Sequence, residues 1–165
     1  MGILATMAIP QTMAGIERSR TVGAARYLAG RLALARARAV ARSANEALLF
    51  TAEGGTYWVA TYRDGNGNGV RMRDINAGID PVVEEPVRFS DLFPRVSLGV
   101  NDPAGASTPE ASVLMSFTPI GTATSGTLYL RGRDASQYAV RVLGATGRTR
   151  LLRYVAATRR WIEVL

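Results

Sequence analysis

The first fifty residues constrain the fold most, because they contain one proline, Pro10, and no cluster of turn-forming residues. Ala, Leu and Arg dominate this stretch, and all three are good helix formers. At 100° per residue, small and apolar residues line one side and arginines gather on the opposite side, which predicts one long amphipathic helix over residues 1–50. The apolar side comprises Ala25, Leu28, Leu32, Ala35, Ala39, Ser43, Ala47 and Phe50, and the arginines are Arg20, Arg31, Arg38 and Arg42.

The beginning of this predicted helix is apolar nearly all round. Residues 1–16 carry no charged side chain, and the candidate membrane or filament residues among them are Ile3, Leu4, Met7, Ile9, Pro10, Met13 and Ile16. A membrane-spanning helix needs about 20 apolar residues, so this run is too short by itself. It also lacks the basic start and small-residue cleavage site of a secretory signal peptide. We expect the first third of the helix to prefer an apolar environment and the second half to pack against a sheet.

After residue 50, short β-branched and aromatic runs alternate with clusters of Gly, Pro, Asn, Asp and Ser, which is typical of strands joined by turns. The intervals leave no room for crossover helices, so the strands are expected to pair antiparallel. The sequence therefore predicts an α+β fold, with a helix in residues 1–50 packed on an antiparallel β-sheet domain in residues 51–165. The predicted strands are 56–62, 95–100, 112–117, 126–132, 138–143, 149–154 and 160–165, and residues 101–110 are expected to form an exposed loop.

Composition argues against an enzyme. The chain has no Cys and no His, which excludes a thiol nucleophile, an imidazole base, a Cys/His zinc site and a disulfide. It also has no Lys, because all 20 basic residues are Arg, so it cannot form a P-loop. Glu84 and Glu85 are adjacent and would face opposite ways on a strand, so we interpret them as loop charges. We predict no catalytic residue and no cofactor.

The charge is unevenly distributed along the chain. The formal charge is +5 in residues 1–50, −4 in residues 51–129 and +6 in residues 130–165. A basic region beside an acidic one favours contact with a polyanion, an acidic lipid surface or an acidic partner subunit.

The segment DGNGNG, residues 64–69, matches the first half of a calcium-binding loop. Asp64, Asn66 and Asn68 would be the ligands, but the full motif needs a bidentate Glu at its twelfth position, where this chain has Ile75. Asn-Gly pairs also supply the positive φ that tight turns require. We therefore favour a hairpin turn and keep calcium as a weak alternative, with no metal site predicted.

The segment GRTR, residues 147–150, lies between two predicted strands. Arg148 and Arg150 would point to the same face of a strand, and with Arg153 they are the candidate phosphate contacts. No acid lies near them in the sequence. Tyr138, Tyr154 and Trp161 could stack on single-stranded bases. The alternative interpretation, which we favour, is that these arginines are solvated edge charges that discourage aggregation.

Several stretches resemble the GspH/FimT group of minor pseudopilins. GILATMAIPQ is similar to the later part of the N-terminal helix of type IV pilins and type II secretion pseudopilins, where an apolar stretch leads into Ala-Ile-Pro. The body resembles the group in residues 64–75, 87–94, 116–130 and 138–154, of which SFTPIGTATSGTLYL and YAVRVLGATGRTRLLRY are the more specific. Members of the group begin with a basic leader, a glycine before the peptidase cut and a helix start containing glutamate. None of these is present here, so we expect that about a dozen helix residues are missing, through a late start codon or a shortened chain.

The resemblance implies assembly rather than catalysis. It implies a subunit of the bacterial inner membrane, single-pass, with a periplasmic globular domain that joins other pseudopilins or pilins at or near a fibre tip and contacts exported protein. A second interpretation is a FimT-like type IV pilin that binds DNA through Gly147–Arg150, in which case Arg148 and Arg150 contact phosphates. A third is a minor pilin with a structural role only. The sequence leaves these three open.

Overall fold

The computed structural model describes the backbone of residues 5–99 and 112–164, and side chains in those ranges from Gly15 onward. The expected loop at 101–110 lies outside the described residues. The predicted α+β architecture is confirmed: one long helix packs against antiparallel strands.

Helix α1 spans Ala5–Arg42, so the prediction that it continues to residue 50 was wrong. The chain leaves the helix at Ser43, whose φ is +51°, and strand β1 begins at Glu46. Ala47 and Phe50 are completely buried, as the helical pattern required, but in a strand. Residues 46–50 are all buried, and a short continuous apolar run satisfies helical and strand patterns equally well.

The described strands form two antiparallel sheets, where the sequence predicted one. The four-stranded sheet has the order β3-β2-β1-β5 and the five-stranded sheet has the order β4-β6-β7-β8-β9. All seven predicted strands are present with small changes at their ends, whereas β1 and β3 were missed. The strands are β1 Glu46–Glu53, β2 Thr56–Arg63, β3 Val82–Arg88, β4 Val96–Gly99, β5 Val113–Phe117, β6 Gly126–Gly132, β7 Gln137–Leu143, β8 Arg148–Val155 and β9 Arg160–Glu163, and the short helices are α2 Met72–Asn76 and α3 Phe89–Leu92.

The core lies where α1 meets both sheets. Leu28 and Leu32 of the helix are 0% exposed and belong to one cluster with Phe50 of the four-stranded sheet and Leu130 of the five-stranded sheet. The predicted apolar side of the helix is therefore the packed side through Ala39. Burial of large apolar side chains of this kind is the main favourable contribution to folding.

The helix runs along the sheets with a defined direction. Where the helix begins to pack on the sheets, Thr21 lies against Gly132, and an added Cβ there would come within 2.1 Å of the Thr21 hydroxyl. Fifteen residues later, Arg36 donates from Nε to the carbonyl oxygens of Gly121 at 3.2 Å and Thr146 at 3.0 Å. The molecule therefore has one end near Thr21, where the helix enters the globular part, and an opposite end near Arg36.

Candidate functional site

The N-terminal part of α1 was predicted to supply membrane or filament contacts. Ile3 and Leu4 lie outside the described residues, and Met7, Ile9, Pro10 and Met13 lie in the helix, where the backbone alone is described. Ile16 is 58% exposed, so it takes no part in the core. No helix in the described part of the chain is both long and apolar enough to span a bilayer.

Arg141, Arg148 and Arg150, from strands β7 and β8, share one face of the five-stranded sheet. Arg148 and Arg150 alternate with the buried Leu151 in β8, so both lie on the face turned away from α1. Arg150 is directly opposite Arg141 in the β7–β8 pairing. The two arginines therefore lie side by side on adjacent strands, with the Arg141 side chain donating from Nε to the Thr127 hydroxyl of β6 at 3.4 Å. Arg141 was not among the predicted contacts.

Two details of that arrangement differ from the prediction. Arg153 has the same strand parity as Leu151, so it lies on the opposite face from Arg148 and Arg150. Arg150 was expected to have no acid nearby, but its Nη1 lies 3.3 Å from Oε2 of Glu163 in the neighbouring strand β9. The long chain separation between these two residues hid this pair from sequence reasoning.

An aromatic cluster lies on the same outer face. The Trp161 ring lies 5.2 Å from the ring of Tyr154 and 5.7 Å from that of Tyr129, measured between centroids. Tyr129 was missed in the sequence, whereas the predicted Tyr138 is 5% exposed and belongs to the core. Arginines and aromatic rings thus occupy one surface of β6–β9.

The segment DGNGNG forms a loop between β2 and α2, rather than the tight hairpin turn that was favoured. The carboxylate of Asp64 organises this loop, since one oxygen accepts from the backbone N–H groups of Asn66 and Gly67 and the other from Gly69 and the side chain of Asn45. Burial alone would raise the pKa of Asp64, but these hydrogen bonds outweigh it and hold the pKa below its ordinary value. Among the described residues, no cluster of three or more metal-ligating side chains is found.

Two of the α1 arginines that were predicted to lie opposite the packed side, Arg31 and Arg38, instead face the four-stranded sheet. Arg38 donates to Glu84 at 2.8 Å, and Arg31 pairs with the same carboxylate and donates to the hydroxyl of Thr61 at 2.9 Å. Thr61 in turn donates to Glu84 at 2.9 Å. Glu84, interpreted from sequence as a loop charge, is instead in β3 and joins this strand to the helix.

These contacts change the titration of Glu84. Burial alone raises the pKa of its carboxyl group, but the hydrogen bonds from Arg38 and Thr61 and the charge of Arg31 have the larger combined effect and lower it. The hydrogen bond that Arg38 donates to Glu84 correspondingly raises the pKa of Arg38. The spacing of Arg31 and Arg38, two helical turns apart, indicates a shared side, but the sequence contains no sign of the partner.

Glu46 is an acid in the core beside this network. It is 1% exposed, and its nearest cations are Arg38 at 3.6 Å and Arg42 at 4.0 Å. Neither carboxylate oxygen has a hydrogen-bond donor among the described residues. Burial raises the pKa of Glu46, and the two arginine charges offset part of that rise.

Comparisons with known proteins agree with this architecture. Residues 24–147 match the family described as "Type II transport protein GspH". Among solved structures, the minor pseudopilin EpsH from the type 2 secretion system of Vibrio cholerae is similar, with a TM-score of 0.53 at 15% identity over 81% of this chain and 97% of that one. No curated protein sequence matches. At that identity the structural likeness shows the shared fold. The family match covers most of the chain, including the half of α1 that packs on the sheets and strands β1–β7. The chain belongs to the GspH family of type II transport proteins.

Proposed function

We propose that this protein is a minor pseudopilin, a structural subunit of a type II secretion pseudopilus that assembles through its N-terminal helix at or near the fibre tip. Membership of the GspH family and the description of the Vibrio cholerae protein support this assignment. Before assembly the subunit is held in the inner membrane by that helix, in a single pass, with its globular part in the periplasm. At the tip the globular part contacts exported protein.

The observation that carries this proposal is one continuous helix with two roles. From Glu17 to Arg42 its side chains contact the sheets, beginning with the pair between Glu17 and Arg95 at 3.0 Å. Residues 5–16 continue the same helix ahead of that contact for about 18 Å at 1.5 Å per residue. A rod that projects from its own domain is suited to packing among the rods of neighbouring subunits.

The side of α1 that faces away from the sheets supports this role. Its described residues from position 30 to 41 include exposed small and apolar side chains without a charge: Gly30, Ala33, Leu34, Ala37, Val40 and Ala41. Leu34 and Val40 are 41% and 46% exposed. Small residues allow two helices to approach closely, and this surface can therefore continue the helix packing begun by the apolar N-terminal segment.

Site-specific crosslinking tests assembly through the helix. The chain has no cysteine, so Leu34→Cys introduces one thiol on the exposed helix surface, and Asn76→Cys places a matched thiol on exposed α2. Each thiol is labelled with a photocrosslinker that captures any neighbouring chain. In assembled fibres we expect Leu34→Cys to crosslink to other pseudopilins and Asn76→Cys to give no crosslink to them. Fibres that form normally while Leu34→Cys crosslinks to no pseudopilin would contradict helix-mediated assembly.

The same variant tests the position in the fibre. A tip subunit is present in few copies and contacts different pseudopilins, so Leu34→Cys should give heterotypic products and no ladder of self-crosslinked chains. A ladder would identify a repeating subunit of the fibre shaft and refute tip placement.

DNA binding is the second candidate function, favoured by the placement of Arg141, Arg148 and Arg150 on one exposed face of β7 and β8. Guanidinium groups contact phosphates without reading bases, and such binding weakens as salt rises because counterions are released. Arg148→Ala with Arg150→Ala should reduce the salt slope of binding to single-stranded DNA by about two units. Arg153→Ala is the matched control on the opposite face. An unchanged slope in the double variant would rule out this function.

A further inference from the structure

The end of the molecule from which the helix projects is rich in arginine. Three connections of the five-stranded sheet meet there: the residue before β4, the β6–β7 turn and the β8–β9 turn, as the pairing of Val96 with Gly132 and of Val155 with Arg160 requires. Arg18 lies on the helix at the same level, within one turn of Thr21. We call these arginines the helix-exit rim: Arg18, Arg95, Arg131, Arg133, Arg159 and Arg160.

The acids at this end neutralise little of the rim. Glu17 is 14% exposed and is engaged by Arg20 and Arg95, and Asp134 accepts a 2.6 Å hydrogen bond from the Ser136 hydroxyl. Glu53 ends β1, and Asp91 lies in α3, where it pairs with Arg88 at 3.8 Å. Among the described residues, five of the six rim arginines have no acid within ion-pair distance, Arg95 being the exception.

Part of the rim forms a concave surface. A groove of 520 Å³ is lined by Arg95, Arg131 and Arg133 together with the hydroxyl-bearing residues Thr56 and Ser90. Guanidinium groups bind phosphate in a bidentate way, and hydroxyl groups donate to its oxygens. The groove therefore has the donors and the charge that a phosphodiester requires.

The direction of the helix decides which phosphodiester can reach the rim. The apolar residues before Glu17 project from this same end, so a bilayer that holds them places its headgroups near the rim arginines. We propose that the helix-exit rim binds anionic phospholipid headgroups and holds the globular part against the membrane until the subunit enters a fibre. This inference rests on the proposed function, because it takes the helix to be in the membrane.

Vesicle binding by the full 165-residue chain tests the proposal. The probes are vesicles of phosphatidylglycerol with phosphatidylethanolamine, and vesicles of phosphatidylcholine alone. Replacing Arg131, Arg133 and Arg159 by Gln should weaken binding to the anionic vesicles by roughly 10- to 100-fold, and high salt should weaken wild-type binding similarly. Binding to phosphatidylcholine vesicles, which reports helix insertion alone, should be equal for the two proteins.

The matched control replaces three arginines at the opposite end, Arg63, Arg71 and Arg73, by Gln, which removes the same net charge as the rim variant. It should bind anionic vesicles nearly as tightly as wild type. Equal loss in both triple variants, or no loss in the rim variant, would overturn the rim assignment while leaving helix insertion intact. A rim variant that loses affinity for single-stranded DNA as strongly as for anionic vesicles would identify a general polyanion surface and refute the lipid assignment. Failure of phosphatidylcholine binding together with failed Leu34→Cys crosslinking would instead refute the proposed function. Equal thermal midpoints for the three proteins confirm that folding is unchanged.

Discussion

Arg38 of helix α1 donates from Nη1 to Oε1 of Glu84 at 2.8 Å, which joins the long helix to the edge strand of the four-stranded sheet. Glu84 also forms an ion pair with Arg31 and accepts a hydrogen bond from the hydroxyl of Thr61. One carboxylate thus satisfies two helix cations that the surrounding protein covers, Arg31 at 14% and Arg38 at 27% side-chain exposure. Removing only one partner of such a contact lowers the stability of the fold, because the remaining charges are left without a partner.

Replacing Glu84 should therefore destabilise the fold more than replacing its neighbour. We expect Glu84→Gln to lower the free energy of unfolding by about 1.5–3 kcal/mol, the range for hydrogen bonds to charged groups. Glu85→Gln, an exposed residue of the same strand, should change it by less than about 0.5 kcal/mol. Urea unfolding at neutral pH measures both, and equal effects would show that the network contributes little.

The lowered pKa values of Glu84 and Asp64 predict acid sensitivity. Because the folded-state pKa of each is below its ordinary value of 4.5 and 3.8, both groups add stability above those values and lose it as the pH falls through their folded-state pKa. Wild type should therefore lose stability below about pH 5, and Glu84→Gln should lose less of it over the same range. Parallel profiles for the two proteins would exclude this contribution of Glu84.

Glu46 should behave in the opposite way. Its pKa is raised by burial, so its ionised form costs stability at neutral and alkaline pH, and that cost disappears as the pH falls toward its ordinary value of 4.5. We expect Glu46→Gln to be more stable than wild type at pH 8, by an amount on the order of 1 kcal/mol, and to lose this advantage near pH 4. Thermal unfolding at a series of pH values measures the difference. A variant less stable than wild type at pH 8 would mean that Arg38 and Arg42 compensate the buried charge fully.

Two leucines of α1, two positions apart, separate folding from assembly. Leu32 is 0% exposed, so Leu32→Ala should cost about 2–5 kcal/mol through lost burial and a cavity. Leu34 is 41% exposed, so Leu34→Ala should leave the unfolding free energy within about 0.5 kcal/mol of wild type while weakening fibre assembly. Denaturant unfolding and fibre yield, measured on both variants, test this separation. Loss of stability in Leu34→Ala would place that side chain in the core.

The Asp64 loop should depend on its carboxylate rather than on calcium. Four N–H groups donate to that carboxylate, so Asp64→Ala leaves them without an acceptor and should lower stability by about 2 kcal/mol or more. Added calcium should not shift the thermal midpoint of wild type, because the N–H hydrogens point at both oxygens where a cation would bind. A calcium-dependent rise in wild type that is absent from Asp64→Ala would establish the metal site instead.

Much of this protein was predictable because local patterns carried the information. The helical spacing of Leu28, Leu32 and Ala39 identified the packed side of α1, and the alternation in β8 put Arg148 and Arg150 on one face, since both periodicities follow from backbone geometry alone. The resemblance to the GspH group, confirmed by the family match, likewise depended on contiguous stretches. The predicted end of the helix was wrong, because the apolar run from Ala47 to Phe50 fits the helical period and the strand period equally well.

The sequence by itself determined a long helix, seven antiparallel strands and the absence of Cys and His chemistry, since these are properties of neighbouring residues and composition. Only the tertiary structure decided that Arg31 and Arg38 meet Glu84, that Arg141 pairs with Arg150 across β7 and β8, and that arginines from three connections lie at the end from which the helix projects. Each of these depends on which strands pair and in which register, and the free energy that selects a register comes from burial summed over both sheets and the helix. No local stretch of the chain contains that sum.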